Sequence, residues 1–246
     1  MAGQYTYHQG DDAFAVASMK KYLDKKQEMD KLLDTLISPY IKGKQFRILD
    51  AGCGIGHSLF FLNQLSPQST FLGVDQTPVY IKEAKKLFGK LLNISFEVGN
   101  VEDLAKKYPK AFDITMSRAV ISWMPYYEDF VKALTKVTKK HIFISSLFYD
   151  GDIDFLTKVK MYKGESGVNT TPAEEHRNVY GLPRFRRFLE SLGAKHVEVV
   201  DFEMPIDLPK ESVDKMSTYT ETLKSGKRLQ ISGAILMNWK WVRIDL

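Results

Sequence analysis

Ile48-Leu49-Asp50-Ala51-Gly52-Cys53-Gly54-Ile55-Gly56-His57 is the stretch whose reading decides the fold. From Arg47 a short apolar run ends in the acid Asp50, glycines alternate after it, and Ser58-Leu59-Phe60-Phe61-Leu62 follows with helical spacing. That order predicts a strand, a tight turn and a helix. Glycines at such a turn permit positive φ and close approach of a ligand to the main chain, and the first turn of the helix presents N–H groups with no partner of their own. A nucleotide-like ligand suits this arrangement. A second apolar run, Thr70-Phe71-Leu72-Gly73-Val74-Asp75, again ends in an acid. It comes where a nucleotide-binding βαβ unit carries a carboxylate for ribose hydroxyls, a task that suits a group able to accept two hydrogen bonds.

The third glycine separates the nucleotide classes. A dinucleotide site of the form Gly-x-Gly-x-x-Gly/Ala would place a small residue where this chain has His57, and the phosphate-cradling Gly-x-x-x-x-Gly-Lys-Ser/Thr pattern is absent. What stands here is acid-x-Gly-x-Gly-x-Gly, with Asp50, Gly52, Gly54 and Gly56. This stretch resembles the first motif of the class I S-adenosylmethionine-dependent methyltransferases. The resemblance implies a cofactor held by Asp50, Ala51, Gly52, Gly54 and Gly56, with Asp75 on the ribose and Gln76 beside it. Gly99-Asn100-Val101-Glu102-Asp103 resembles the family's adenine-binding motif, with Asn100 in place of the usual acid; Asn100, Val101 and Glu102 are the residues implied there. Ser117, at the end of the fourth strand, completes the implied cofactor set.

From Phe46 onward strands and helices alternate. This predicts an α/β fold with a doubly wound, mostly parallel sheet and helices on both faces. Strand one ends at Asp50, strand two at Asp75, strand three is Ile94 to Val98, strand four Phe112 to Ser117 and strand five Ile142 to Tyr149. Two further strands are expected at Lys195–Val200 and Leu229–Met237. The family resemblance implies that they close as an antiparallel hairpin with the last strand slotted inside, giving seven strands in the order 3-2-1-4-5-7-6. Asp201 to Gly226 then reads as a long hairpin connection. Before the sheet, Ala13 to Ile37 has the spacing of amphipathic helices ending ahead of Pro39. Residues 1–42 are therefore expected to form an arm and a helical cap, and 43–246 the methyltransferase domain with an insert at about 150–180.

Composition narrows the functional classes. At 246 residues and 44% hydrophobic the chain can bury a full core. A net charge of +5, with Lys and Arg scattered among acids, demands neither nucleic acid nor an acidic membrane. No apolar run reaches the length of a span and the start of the chain lacks a secretory pattern, so a cytoplasmic protein is expected. Cys53 is the only cysteine, which excludes internal disulfides and offers no metal cluster. Asp150, Asp152 and Asp154 alternate as metal ligands can, but the glycine and terminal Glu of a calcium loop are misplaced, and no metal is expected.

The acceptor is less legible. Family exocyclic-amine methyltransferases of nucleic acids carry Asn/Asp-Pro-Pro-aromatic after strand four; Ser117-Arg118-Ala119-Val120 stands here, which argues against DNA adenine. Tyr22 on the cap, Trp123 after strand four and Tyr149 at the end of strand five are the expected acceptor walls. Among the histidines, His141 and His196 stand at the wrong ends of their strands, His57 faces the cofactor, and His8 and His176 remain. His176, beside Glu175 in the insert, is the preferred general base and an acceptor contact. A small-molecule acceptor is expected, with a sugar-like one suggested by the insert and by Gln230–Met237. Methylation of a protein or RNA, and a non-catalytic partner subunit with the same fold, are the alternatives.

Overall fold

The computed structural model describes residues 12–161, 173–210, 218–232, 235–237 and 239–246. The expected reading at His8 lies outside them, as does part of the insert expected at about 150–180. Helices α1 (Asp12–Lys20) and α2 (Glu28–Ile41) lead into β1 (Arg47–Ala51), α3 (His57–Leu65), β2 (Thr70–Asp75), α4 (Pro78–Phe88), β3 (Ile94–Val98), α5 (Val101–Lys107) and β4 (Phe112–Arg118). A 3-10 turn, Ile121–Trp123, precedes α6 (Glu128–Val137) and β5 (Thr138–Tyr149). Then come β6 (Lys158–Met161), β7 (Ala173–His176), β8 (Tyr180–Gly181), α7 (Leu182–Ser191), β9 (His196–Asp201), β10 (Thr218–Thr222), β11 (Arg228–Ser232), β12 (Ile235–Met237) and β13 (Trp239–Asp245).

The main sheet runs β3-β2-β1-β4-β5-β13-β9, with β8 added beside the last two residues of β5. β1 to β5 are mutually parallel, and β13 pairs antiparallel with both β5 and β9. This is the expected order, with β9 sixth and β13 seventh, and β8 as an additional short strand.

The identity of the seventh strand needs correction. It is Trp239–Asp245, whereas Leu229–Met237 supplies β11 and β12 of a separate three-stranded sheet, β10-β11-β12. An apolar run at 229–237 looked the better strand because β13 carries Lys240 and Arg243 in its interior. Both charges are compensated: Lys240 pairs with Asp150 and Asp201, and Arg243 with Glu198 and Asp245. The long connection expected after Asp201 also contains β10. A second correction concerns α2, which continues through Pro39 to Ile41. Proline lacks an N–H, but so near the helix end it removes a single bond, and Lys42 N–H still reaches the Ser38 carbonyl.

Side chains alternate across the sheet into two cores. Leu49, Leu72, Ile142, Ile144, Val242 and Ile244 pack toward α5, α6 and α7, and Ile48, Phe71, Phe143 and Trp241 toward α2, α3 and α4. Burial on both faces is what a doubly wound sheet requires. The carboxyl ends of β1 to β5 and of β9 all lie along one edge. Two segments lie beside the edge where such folds bind ligands: α1, whose Met19 reaches Gly54, and β7, which touches the 3-10 turn after β4.

Candidate active site

The glycine loop is held by main-chain bonds. Gly52 and Cys53 N–H both donate to the Val74 carbonyl, at 2.8 and 3.1 Å. Gly56 caps α3 at φ 85, and a Cβ there would lie 2.6 Å from Phe96 Cε1. No side chain fits in that left-handed conformation against that ring. Gly52, at φ 81, is closed off by Val120 from the loop after β4, 2.4 Å from where a Cβ would be. Asp75 is oriented from both sides: Gly54 N–H donates to Oδ2 and Thr77 N–H to Oδ1, each at 2.9 Å. Gly99 N–H donates to the Asp75 carbonyl at 3.0 Å, which ties the end of β3 to the same turn. Asn100 caps α5, Val101 is buried in the core, and Glu102 is half-buried, its carboxyl raised by burial. Gln76 follows Asp75 at the same edge, half-buried.

Behind the loop sits a buried polar cluster. Asp50 is 2% exposed and its Oδ1 has no hydrogen-bond partner. Burial pushes its carboxyl up to about 8; the Arg118 cation opposes the shift, and Asp30 and Asp75 add to it. Asp30 of α2, also 2% exposed, accepts from Ser58 Oγ at 2.9 Å and lies 3.4 Å from both His57 Nδ1 and Arg118 Nε. His57 Nε2 stands 2.7 Å from the Tyr22 carbonyl, and burial lowers its pKa. Arg118 also donates to Gln27 Oε1. Ser117 is buried and its hydroxyl donates to the Ala51 carbonyl at 2.9 Å, across from β4 to β1. The next residue but one, Ala119, adopts φ 57, a conformation that non-glycine residues seldom take and that concentrates at functional turns.

Around Trp123, where the acceptor is expected, two distant segments meet. Asn178 N–H donates to the Ser122 carbonyl and its side chain to the Met124 carbonyl, both at 2.7 Å, while Asn178 Oδ1 accepts from Thr157 N–H at 2.9 Å. Tyr180 OH donates to the Met124 carbonyl at 2.7 Å. These bonds lay the Arg177 guanidinium 3.5 Å over the Trp123 ring. Burial lowers the Arg177 pKa to about 10, with Glu175 opposing. His176 ends β7, opposite Lys158. Tyr149 is 44% exposed with its ring edge-on to Phe155, and Tyr22 is 49% exposed, contributing its carbonyl to His57. The structure thus joins Trp123 to the insert through Arg177. Tyr149 and Tyr22 belong to other contacts. Asp150, Asp152 and Asp154 each have a cation of their own, in Lys240, Arg187 and Arg184.

Sequence reasoning placed Arg177 in the segment expected to bind the acceptor but missed Asp30, Arg118 and Met19, whose sulfur would lie 3.2 Å from a Cβ on Gly54. Asp30 had a signal: it shares the apolar stripe of Leu33, Ile37 and Ile41, where an acid calls for a buried partner. The Arg177–Trp123 pair had none, because the two residues lie far apart in the chain.

A family model described as "Methyltransferase domain" matches residues 42–175. A protein from Methylobacterium nodulans named trans-aconitate 2-methyltransferase is 30% identical over 90 residues, 37% of this chain and 33% of that protein. The matched stretch thus spans about a third of that relative's length. Among solved structures, the YcgJ protein of Bacillus subtilis superposes with a TM-score of 0.58 at 14% identity, covering 87% of this chain and 97% of that one. The precorrin-6y C5,15-methyltransferase of Geobacter metallireducens gives 0.55 at 15% identity, covering 92% and 93%. These two share the fold. With the family model matching more than half its length, the chain belongs to the methyltransferase-domain family, and it has the class I methyltransferase fold.

Proposed function

We propose that the chain moves a methyl group from S-adenosylmethionine to a small-molecule acceptor at the edge between the glycine loop and the Trp123–Arg177 pair. One observation carries the cofactor side of this reading: the Asp75 carboxylate is pinned by Gly54 and Thr77 N–H beside a loop that would not tolerate side chains at Gly52 and Gly56. The residues fit the cofactor: the Asp75 carboxylate is an acceptor-only group oriented by Gly54 and Thr77 N–H, the chemistry that a ribose diol calls for. The buried Asp50 Oδ1, without a hydrogen-bond partner, supplies a further polar contact.

When bound, S-adenosylmethionine supplies a methyl group already activated on a sulfonium. What remains for this chain is to hold, align and shield. Asp75 takes the ribose, and Asn100, Val101 and Glu102 the adenine edge. The glycine loop takes the rest of the cofactor, and the strained turn at Ala119 sets the floor. Alignment and exclusion of water can together reach roughly 7–11 kcal/mol. If the acceptor is a hydroxyl, His176 is the base we favour, at the end of β7 beside the segment that meets Trp123. The name of the Methylobacterium relative favours a small-molecule acceptor. The sugar-like expectation rests on the insert and on Gln230–Met237, most of which lies in the separate β10–β12 sheet.

The test is to incubate the full chain with methyl-labelled S-adenosylmethionine and a small-molecule extract, and to follow the label. Label in compounds of low molecular mass supports the reading. Label only in protein or RNA overturns it, and tight cofactor binding with no transfer would favour the partner-subunit alternative.

A further inference from the structure

We infer that Arg177, laid flat on Trp123 at the acceptor edge, seats a carboxylate of the methyl acceptor, so that the substrates are small organic acids. This rests on the methyltransferase reading above and specifies its acceptor.

The argument begins from the cost of a half-buried cation. Arg118, Arg184, Arg187, Arg228 and Arg243 each stand within 4 Å of a carboxylate. Arg177 does not. Among the described residues its guanidinium stacks on Trp123 at 3.5 Å, and its buried Nε–H has no hydrogen-bond partner. Stacking on an aromatic face offsets part of the lost hydration and fixes the plane, while the donors in that plane still call for acceptors. A planar fork with its donors held in one plane matches a carboxylate edge-on.

The backbone around it is built to keep this geometry. Arg177 N–H donates to the Thr157 carbonyl at 2.9 Å, and the next residue, Asn178, is wholly buried and bonded to the turn that carries Trp123. The platform therefore sits on the loop after β4, next to the glycine loop that Val120 touches. Glu175 is 6% exposed and acts electrostatically on Arg177, and a neighbouring carboxylate repels a phosphate dianion more than a monoanion.

The experiment uses the full chain saturated with S-adenosylhomocysteine, titrated with trans-aconitate, citrate, malate and benzoate, with their methyl esters, and with a sugar phosphate. Trp123 fluorescence and calorimetry are the readouts. The expected result is that at least one free acid binds, its ester does not, and Arg177→Met weakens the acid at least tenfold while leaving S-adenosylhomocysteine affinity unchanged. Arg177→Lys, which keeps the charge and loses the fork, should fall between and guards against a folding defect. The inference is overturned if no acid binds the loaded protein, if esters or the sugar phosphate bind as well as the acids, or if Arg177→Met binds the acid normally. Failure of the wild-type chain to bind S-adenosylhomocysteine would overturn the methyltransferase reading and the subsite with it.

Discussion

Around the glycine loop the geometry is set by main-chain groups: Gly52, Cys53, Gly54, Thr77 and Gly99 donate N–H bonds that join β1, β2 and β3 to one another and to Asp75. Around Trp123 it is set by side chains, chiefly Asn178, Tyr180 and Arg177, which fasten an insert to a turn some fifty residues earlier. The difference teaches where specificity can vary. A main-chain cradle tolerates change at most side chains but none that adds a Cβ at its tight glycines. A side-chain platform, if it seats the acceptor as proposed, can be rebuilt for another one without disturbing the glycine loop.

The sharpest way to break this contrast is Gly56→Val. A β-branched residue at φ 85, overlapping Phe96, should destabilise the chain by about 2–5 kcal/mol and abolish detectable cofactor binding, read by thermal melting and calorimetry. Asp75→Ala should weaken cofactor binding by about 1.5–3 kcal/mol, roughly 10- to 150-fold, and also lower the melting temperature, because Gly54 and Thr77 N–H lose their acceptor. Asn178→Ala should separate the two effects. It removes buried bonds to Met124 and Thr157, so stability should fall by about 1–3 kcal/mol while S-adenosylhomocysteine affinity stays as in the wild type.

Asp50 sharpens the comparison through pH. Its carboxyl is raised from 3.8 to about 8 in the folded chain, so the folded state binds a proton that the unfolded state has lost between those values. Stability from this group is present in full below about 4 and is lost as pH rises toward 8. Asp50→Asn, which mimics the protonated form, should flatten the decline in melting temperature over that window; an unchanged slope would contradict the assignment. The smallest effect belongs to Lys240→Met. Its partners Asp150 and Asp201 are 71% and 75% exposed, and loss of those pairs should cost about 1 kcal/mol or less in a denaturant titration.

The same contrast explains what could be read from the sequence. The glycine-loop half was legible as structure because the runs of β1 and β2 reach an acid, Asp50 or Asp75, followed by a turn whose conformation only certain residues adopt, as at Gly52 and Gly56. The half proposed for the acceptor depends on pairs such as Trp123 with Arg177, and no local pattern announces a contact between distant segments. β13 was missed for a related reason: Lys240 and Arg243 make it look like surface until Asp150, Asp201 and Glu198 are brought beside it. Asp30 was an intermediate case, visible as an acid within an apolar stripe but with its partners Ser58, His57 and Arg118 hidden by the fold.

The most direct test of the main-chain cradle is titration calorimetry of the full chain with S-adenosylmethionine, S-adenosylhomocysteine and NADH. The cradle at Asp50 to Gly56, with Asp75 beyond it, predicts that the first two bind and the third does not. Binding of NADH, or silence from S-adenosylhomocysteine in a chain that melts cooperatively, would contradict it.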